Sequence, residues 1–377
     1  MLQVPTDSEP SSPGLSSPPT RLDRASLLSG FSPKAPGWIR TVLGVLLQGL
    51  LIWLAIRSVN FSLFKSVLWT ADHRWLAAAV PAVAVCMVAG SLRLWLLLRV
   101  LPVQGPGVGL GALTSIYLAT SAAHNLLPSP AAFVVRTVLL QRGHGYTTGR
   151  LVASQLVTAI IDGLCLGLLA VGVALSTPLP YALNKAMFIG GAIGAGGVVA
   201  FLAVSWIWGR QHPDALRDGE DIAAENAGFL RRTAQAMQLL RRPGLWLAGL
   251  GCSLLVEVAN ALSIGMAAAS VGTQLGFGTC VVLMMIGRLA SLAPSTPGQF
   301  GVIEAGLVMG FSALGIDTSR ALAIAVLYHM VHFVPVTLVG LFELRRQWNL
   351  CLPSDRRDQP TARRPLGQRA ATRINPP

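Results

Sequence analysis

Long runs of apolar residues alternate with short polar segments along most of this chain. Six runs stand out, at residues 38–57, 75–98, 151–176, 181–208, 244–270 and 319–342. Each is close to the roughly 20 residues that cross a bilayer as an α-helix. No strand pattern competes, and open sheet edges would leave backbone groups unpaired in lipid. The pattern predicts an all-α, polytopic helical bundle in a membrane.

Two further apolar segments, near residues 126–141 and 295–315, are short and interrupted by proline and glycine. Counting them, the pattern predicts about 8 to 10 crossings. Proline removes a backbone donor and glycine permits tight turns, so each segment is either a full crossing or a re-entrant pair of half-helices. The predicted breaks lie at Pro128, Pro130, Pro294, Pro297, Gly298 and Gly301.

The two broken segments resemble each other. "PSPAAFVVR" and "PSTPGQFGVIE" each place a phenylalanine three residues after the second proline, followed within a turn by a charged residue. Each is followed by an arginine that opens an apolar run, with an ionisable residue twelve positions later, Asp162 or His332. With arginine-rich ends in the cytoplasm, the two units enter the membrane in opposite senses. The chain is predicted to contain an inverted repeat, with chance similarity of apolar sequence as the alternative.

Composition supports a membrane domain between two polar tails. Hydrophobic residues make up 53% of the chain and charged residues 12%. Residues 1–37 are rich in proline and serine, and residues 345–377 carry eight arginines and two aspartates, so both ends are predicted to be disordered cytoplasmic tails around a domain at 38–344. The net charge of +13 comes largely from arginines that flank the apolar runs, which favours retention of basic loops in the cytoplasm over nucleic-acid binding. No nucleic acid partner is predicted.

Ionisable and amide side chains within apolar helices are candidates for function because they are costly to insert. The predicted substrate path or coupling residues are Asn125, Arg136, Asp162, Glu257, Arg288 and Glu304. For Arg93 and Arg288 the alternative is that the side chain reaches the lipid headgroups from a helix end. For Glu304 two interpretations stay open: a carboxylate that takes up and releases a proton, or an ion pair with Arg136 or Arg288.

No metal or other cofactor is predicted. His329 and His332 share a helix face at a spacing of three residues, but no third ligand accompanies them. The five cysteines are scattered without a paired-cysteine motif, which gives no indication of a disulfide framework.

The stretch "PSTPGQFGVIEAGLVMGFSALGIDTSRALAIAVLYH" resembles the lipid flippase-like family formed by the membrane domain of lysylphosphatidylglycerol synthases and its free-standing relatives. Positions that fit its second signature are Pro294, Pro297, Gly298, Gly301 and Glu304, while Gln299 and Ile303 depart from it. Asn125, Arg136 and Asp162 fit its first signature, from which Ala132, Phe133, Thr158 and Ala159 depart.

The resemblance implies a free-standing member that moves a lipid, or a lipid-linked headgroup, between leaflets. Its aminoacyltransferase domain is missing from the chain, so lipid aminoacylation by this chain alone is not expected. The alternatives are an intramembrane lipid-modifying transferase and an accessory scaffold of a lipid-synthesis complex. The expected partners are membrane lipids and a lipid-synthesis enzyme, and the expected location is the cytoplasmic membrane.

The positions of the arginines predict that both termini and the 209–243 loop face the cytoplasm. In a variant with its five native cysteines replaced, a cysteine in the "STPLPY" loop should react with an impermeant thiol reagent added to intact cells, and one in the 209–243 loop should react only after lysis. The reverse labelling would contradict this topology.

Overall fold

The computed structural model describes residues 53, 60–99, 107–127, 129–211, 243–291 and 297–351, and these residues form helices and no strands. The predicted all-α class is confirmed. The helices are α1 Phe61–Trp69, α2 His73–Leu98, α3 Leu110–Leu126, α4 Ser129–His144, α5 Thr148–Ser176, α6 Tyr181–Gln211, α7 Pro243–Ser270, α8 Phe277–Ala290, α9 Val302–Ala313 and α10 Thr318–Cys351, with a 3₁₀ turn at Pro297–Gln299.

Five of the described helices are long and apolar enough to cross a membrane: α2, α5, α6, α7 and α10. They coincide with five of the six apolar runs in the sequence. The sixth run, at 38–57, and both predicted tails lie almost entirely outside the described residues. The chain is a polytopic helical membrane protein, while the total number of crossings stays a prediction.

Each broken segment joins two short helices. Helices α3 and α4 have 17 and 16 residues, and α8 and α9 have 14 and 12. Pro130 is the second residue of α4, where its missing N–H costs nothing, whereas Pro128 and Pro294 lie outside the described residues. Before α9, Gly298 and Gly301 adopt φ of +76° and +84°, which glycine reaches without steric cost.

The helix boundaries reveal the repeat directly. Helices α2 and α7 begin at positions 73 and 243, and α5 and α10 begin at positions 148 and 318, so both pairs have the same offset along the chain. The short helices have nearly the same offset, since α3 and α8 begin at positions 110 and 277, and α4 and α9 begin at positions 129 and 302. The four helices α2 to α5 therefore correspond in order and spacing to the four helices α7 to α10.

The two equivalent helices α2 and α7 pack side by side and run antiparallel. The N–H of Asp72, just before α2, donates to the carbonyl of Ser270 at the end of α7 at 2.7 Å. Further along, the thiol of Cys86 contacts the carbonyl of Val256 at 3.5 Å. Residue numbers at the contacts therefore rise along α2 while they fall along α7, as in antiparallel helices. Equivalent helices with opposite directions require an inverted repeat, as the sequence pattern predicts.

The two repeats also interlock. Helix α3 of the first repeat packs on α10 of the second, where Asn125 Nδ2 donates to Thr337 Oγ1 at 2.9 Å. In the equivalent crossing, α8 of the second repeat packs on α5 of the first, and Gly278 lies directly against Thr177. The first short helix of each hairpin, α3 or α8, thus rests on the last long helix of the other repeat, and the repeats do not form separate domains.

A polar cluster joins α2, α5 and α7. A guanidinium nitrogen of Arg93 bonds to the carboxylate of Asp162 and, at 2.5 Å, to the hydroxyl of Ser253, which also donates to Asp162 at 2.9 Å. The Arg93 residue is only 7% exposed. The alternative that Arg93 extends to the headgroups is therefore wrong, because the chain supplies a carboxylate inside the bundle.

Removing one member of this cluster should destabilise the protein. Asp162→Asn leaves the buried Arg93 without a counter-charge and should cost about 3 kcal/mol, which lowers the melting midpoint by several degrees. Arg93→Met combined with Asp162→Asn should recover part of the loss. The matched control is Asp317→Asn, since Asp317 caps α10 through the N–H groups of Ser319 and Arg320 and asparagine caps equally well. Equal melting midpoints for Asp162→Asn and the control would contradict the structural role.

Candidate functional site

A polar cavity of about 490 Å³ lies where the two broken hairpins meet α7 and α10. Its walls come from α3 and α4 of the first hairpin, from α8 and the 3₁₀ turn of the second, and from the middle of α7 and α10. We call it the first cavity. Irregular backbone within a membrane bundle is tolerated where it lines such a space, and Gly298 and Gln299 of the second break do so.

Arg136 of α4 lines the first cavity and is held from one side. Its Nε donates to Thr120 Oγ1 at 3.3 Å, and its guanidinium lies 5.3 Å from the centre of the Tyr117 ring. Thr120 and Tyr117 both belong to α3, so the α3–α4 hairpin orients the arginine by itself. In the described part of the chain no carboxylate forms an ion pair with Arg136. The charge of Arg136 is therefore not balanced by any described carboxylate.

The second arginine of the first cavity has a partner. Arg288 of α8 donates to Glu257 Oε1 at 3.0 Å, and its side chain remains 44% exposed while that of Glu257 is 2% exposed. The other carboxylate oxygen of Glu257 has no hydrogen-bond partner. One face of Arg288 is thus neutralised, and the other is available to a ligand.

A second cavity of about 380 Å³ lies on the far side of this ion pair. Helices α5 and α6 contribute a mostly apolar and glycine-rich wall, and Asp162 and Glu257 contribute the acidic groups. Arg288 and Ser291 line both cavities, so the end of α8 separates them. Asp162 and Glu257 line the second cavity, and none of the described carboxylates lines the first.

The two histidines of α10 have different partners. His332 Nδ1–H donates to the carbonyl of Tyr328 at 3.2 Å, and its Nε2 meets the side-chain amide of Asn260 at 3.1 Å. His329 instead contacts Glu304 through Nδ1 at 2.6 Å and stacks on Phe300 with ring centres 4.7 Å apart. Among the described residues no three histidine, cysteine or carboxylate side chains come together in a metal-binding group.

Glu304 supports the site without lining either cavity. Its Oε2 accepts the N–H of Gly301 at 2.6 Å, which closes the turn before α9, and its Oε1 holds His329. The proposed ion pair with Arg136 or Arg288 is not formed, because the short turn after Gly298 directs the carboxylate back onto its own helix end and towards α10. The capping interaction satisfies a donor that the helix start leaves open.

Five of the six candidate path residues line the cavities, and Glu304 lines neither. Asn125 and Arg136 line the first, Asp162 and Glu257 line the second, and Arg288 lines both. Sequence reasoning missed a polar stripe on α3, whose members line the first cavity: Tyr117, Thr120, Ser121 and His124. Their spacing of three, four and seven residues is one face of a helix, and this periodicity within an apolar segment was the signal available.

The contacts of Glu304 predict a graded loss of stability. Glu304→Gln keeps an acceptor for Gly301 and a neutral contact with His329, so it should cost about 1 kcal/mol, whereas Glu304→Ala leaves both groups unpaired and should cost about 3 kcal/mol. Neither loss should be recovered by adding Arg136→Gln or Arg288→Gln. Melting midpoints of the single and double variants measure this, and recovery by an arginine substitution would show an ion pair instead.

Comparison with known protein families gives one match over most of the chain. Residues 41–340 match the model for the lysylphosphatidylglycerol synthase TM region. No curated protein matches the sequence, so no individual relative's activity is carried over to it. The match spans both hairpins, both cavities and both repeats described above. The chain belongs to the family of the lysylphosphatidylglycerol synthase TM region.

Proposed function

We propose that this protein moves a lipid, or a lipid-linked headgroup, from one leaflet of its membrane to the other. The observation that carries the proposal is the polar first cavity, which lies among apolar helices at the meeting point of two broken hairpins. The family match supports a role connected with lipids. A lipid-synthesis enzyme that makes the transported lipid is the proposed partner.

The main barrier to lipid movement is the loss of water around the headgroup. Burying a polar group without hydrogen bonds costs several kcal/mol, on the order of 2–7, and an unpaired charge costs far more. The first cavity offers replacement partners in the guanidinium of Arg136, the α3 stripe and the histidines of α10. A headgroup in this cavity can lose its water while the acyl chains stay in the bilayer.

The inverted repeat supplies a means of changing access. In transporters built this way, one repeat or bundle rocks against the other around a fixed site near the midplane. Here the two cavities meet at Arg288, and each repeat contributes a hairpin to the boundary. A rearrangement of the hairpins that opens the closed side of this boundary and closes the open side would let the headgroup pass from one side to the other.

The test measures lipid movement directly. Purified protein in liposomes should speed the movement of a fluorescent phospholipid from the inner to the outer leaflet. Dithionite quenches the label in the outer leaflet, so the fluorescence of the protected inner-leaflet lipid should fall faster. Ser121→Trp should slow the reaction strongly because it fills the first cavity. The matched control is Val134→Trp, which places the same ring on the outward side of α4, where Val134 is 51% exposed.

Two outcomes would contradict the proposal. One is folded protein that accelerates no anionic, zwitterionic or polyprenyl lipid. The other is equal slowing by Ser121→Trp and Val134→Trp, which would separate the activity from the first cavity. Circular dichroism and the melting midpoint of each variant establish that the protein is folded.

A further inference from the structure

We propose that the first cavity selects a phosphate-bearing headgroup of net negative charge that carries no amine cation. This inference rests on the proposed function and names the class of its substrate. It follows from how charges are divided between the two cavities, from the support given to Arg136, and from the lack of a carboxylate among the described residues that line the cavity.

Charge is divided unequally by the end of α8. The first cavity is lined by the two arginines Arg136 and Arg288, and no carboxylate of the described residues lines it. The carboxylates Asp162 and Glu257 line only the second cavity. Glu257 therefore offsets the charge of Arg288 from the side of the second cavity. In the first cavity, the positive charge of Arg136 is not offset by a described carboxylate.

Arg136 is prepared to bind an oxyanion. The Nε bond to Thr120 and the Tyr117 ring fix the plane of the guanidinium, while the terminal nitrogens have no acceptor in the described part of the chain. A guanidinium held in one plane presents two parallel N–H donors that match two phosphate oxygens. Because the geometry is set before binding, little side-chain freedom is lost on binding.

Neutral polar groups extend the same face. Along α3, Ser121 and Asn125 follow Tyr117 at intervals of four residues and line the cavity. The hydroxyl oxygen of Ser121, whose O–H donates to the Tyr117 carbonyl at 2.8 Å, can accept from a headgroup hydroxyl. Asn125 donates one N–H to Thr337, and its second N–H can donate to an ester oxygen. Their neutrality means that they add contacts without changing the charge preference set by Arg136.

A cationic amine finds no carboxylate among the described residues that line this cavity. A carboxylate is the strong partner of an ammonium group, and an aromatic face is a weaker one. The described carboxylates lie elsewhere, and the aromatic face nearest to Arg136, that of Tyr117, already faces the guanidinium. A headgroup with an amine or an attached lysine would bring like charge towards Arg136, which disfavours it.

The experiment compares lipids that share acyl chains and differ in headgroup. Phosphatidylglycerol, phosphatidylethanolamine, phosphatidylcholine and lysyl-phosphatidylglycerol, each labelled on the acyl chain, are tested in the same proteoliposomes. The protein should move phosphatidylglycerol about tenfold faster or more than the other three. All four lipids share the phosphate that Arg136 binds, and phosphatidylglycerol alone among them brings no cationic nitrogen towards Arg136, a like-charge contact that costs at least this factor. Arg136→Gln should reduce the rate for phosphatidylglycerol to that of the others.

The matched control is Arg142→Gln, which removes the same charge from an exposed position six residues along α4. It should leave both the rate and the preference unchanged. If wild-type protein moves all four lipids equally, or if Arg136→Gln keeps the preference, the substrate class is wrong and the proposed function stands. If no lipid moves, both are wrong.

A second measurement distinguishes a lipid headgroup from free phosphate. Glycerol phosphate and inorganic phosphate are added to wild-type protein and to Arg136→Gln, and the melting midpoint is recorded. Competition by glycerol phosphate with phosphatidylglycerol movement, lost in Arg136→Gln, supports the inference. Stabilisation by inorganic phosphate in a protein that moves no lipid would assign the site to a soluble anion and overturn the inference.

Discussion

A charge inside a membrane bundle needs a partner, and this requirement organises the described part of the molecule. Asp162 is matched by Arg93, Glu257 by Arg288, and Glu304 by the N–H of Gly301 and by His329. Each pair joins different helices or closes a turn, so the carboxylates also fix the arrangement of the bundle. Once these partners are assigned, Arg136 remains as the charge that the described carboxylates do not neutralise.

The interlocked repeats explain why these pairs lie where they do. Helices α2 and α7 run antiparallel side by side, α3 crosses to α10, and α8 crosses to α5. Asp162 therefore meets Arg93 within one repeat and Ser253 from the other. Each hairpin therefore contacts both repeats, and no surface divides the described helices into independent halves.

Much of this architecture could be predicted from the sequence. Hydropathy identified the five long described helices, and the similarity of the two proline-flanked segments, with an ionisable residue at matching offsets, predicted the inverted repeat. These signals are visible because they depend on local spacing and on the length of a bilayer crossing. The candidate residues were chosen by the same logic, since any charge in an apolar run is exceptional.

The pairing of those residues could not be predicted. Nothing in the local sequence states that Arg93 meets Asp162 across 69 residues, or that Glu304 turns back to Gly301 while reaching His329. Such contacts depend on helix crossings and on one or two positive φ angles. The division of charge between two cavities is likewise a property of the packed bundle, because Arg288 and Glu257 lie on different helices.

The connections within the two hairpins have different backbone requirements even though the hairpins are equivalent in position. The second contains Gly298 and Gly301 at positive φ, with a third such angle at Gln299. The first contains "LPSP", whose prolines restrict the backbone and exclude that set of angles. The first hairpin therefore cannot copy the backbone of the second. Only the second connection therefore demands glycine for its described backbone, and the pseudo-symmetry of the fold does not extend to which substitutions its two hairpins tolerate.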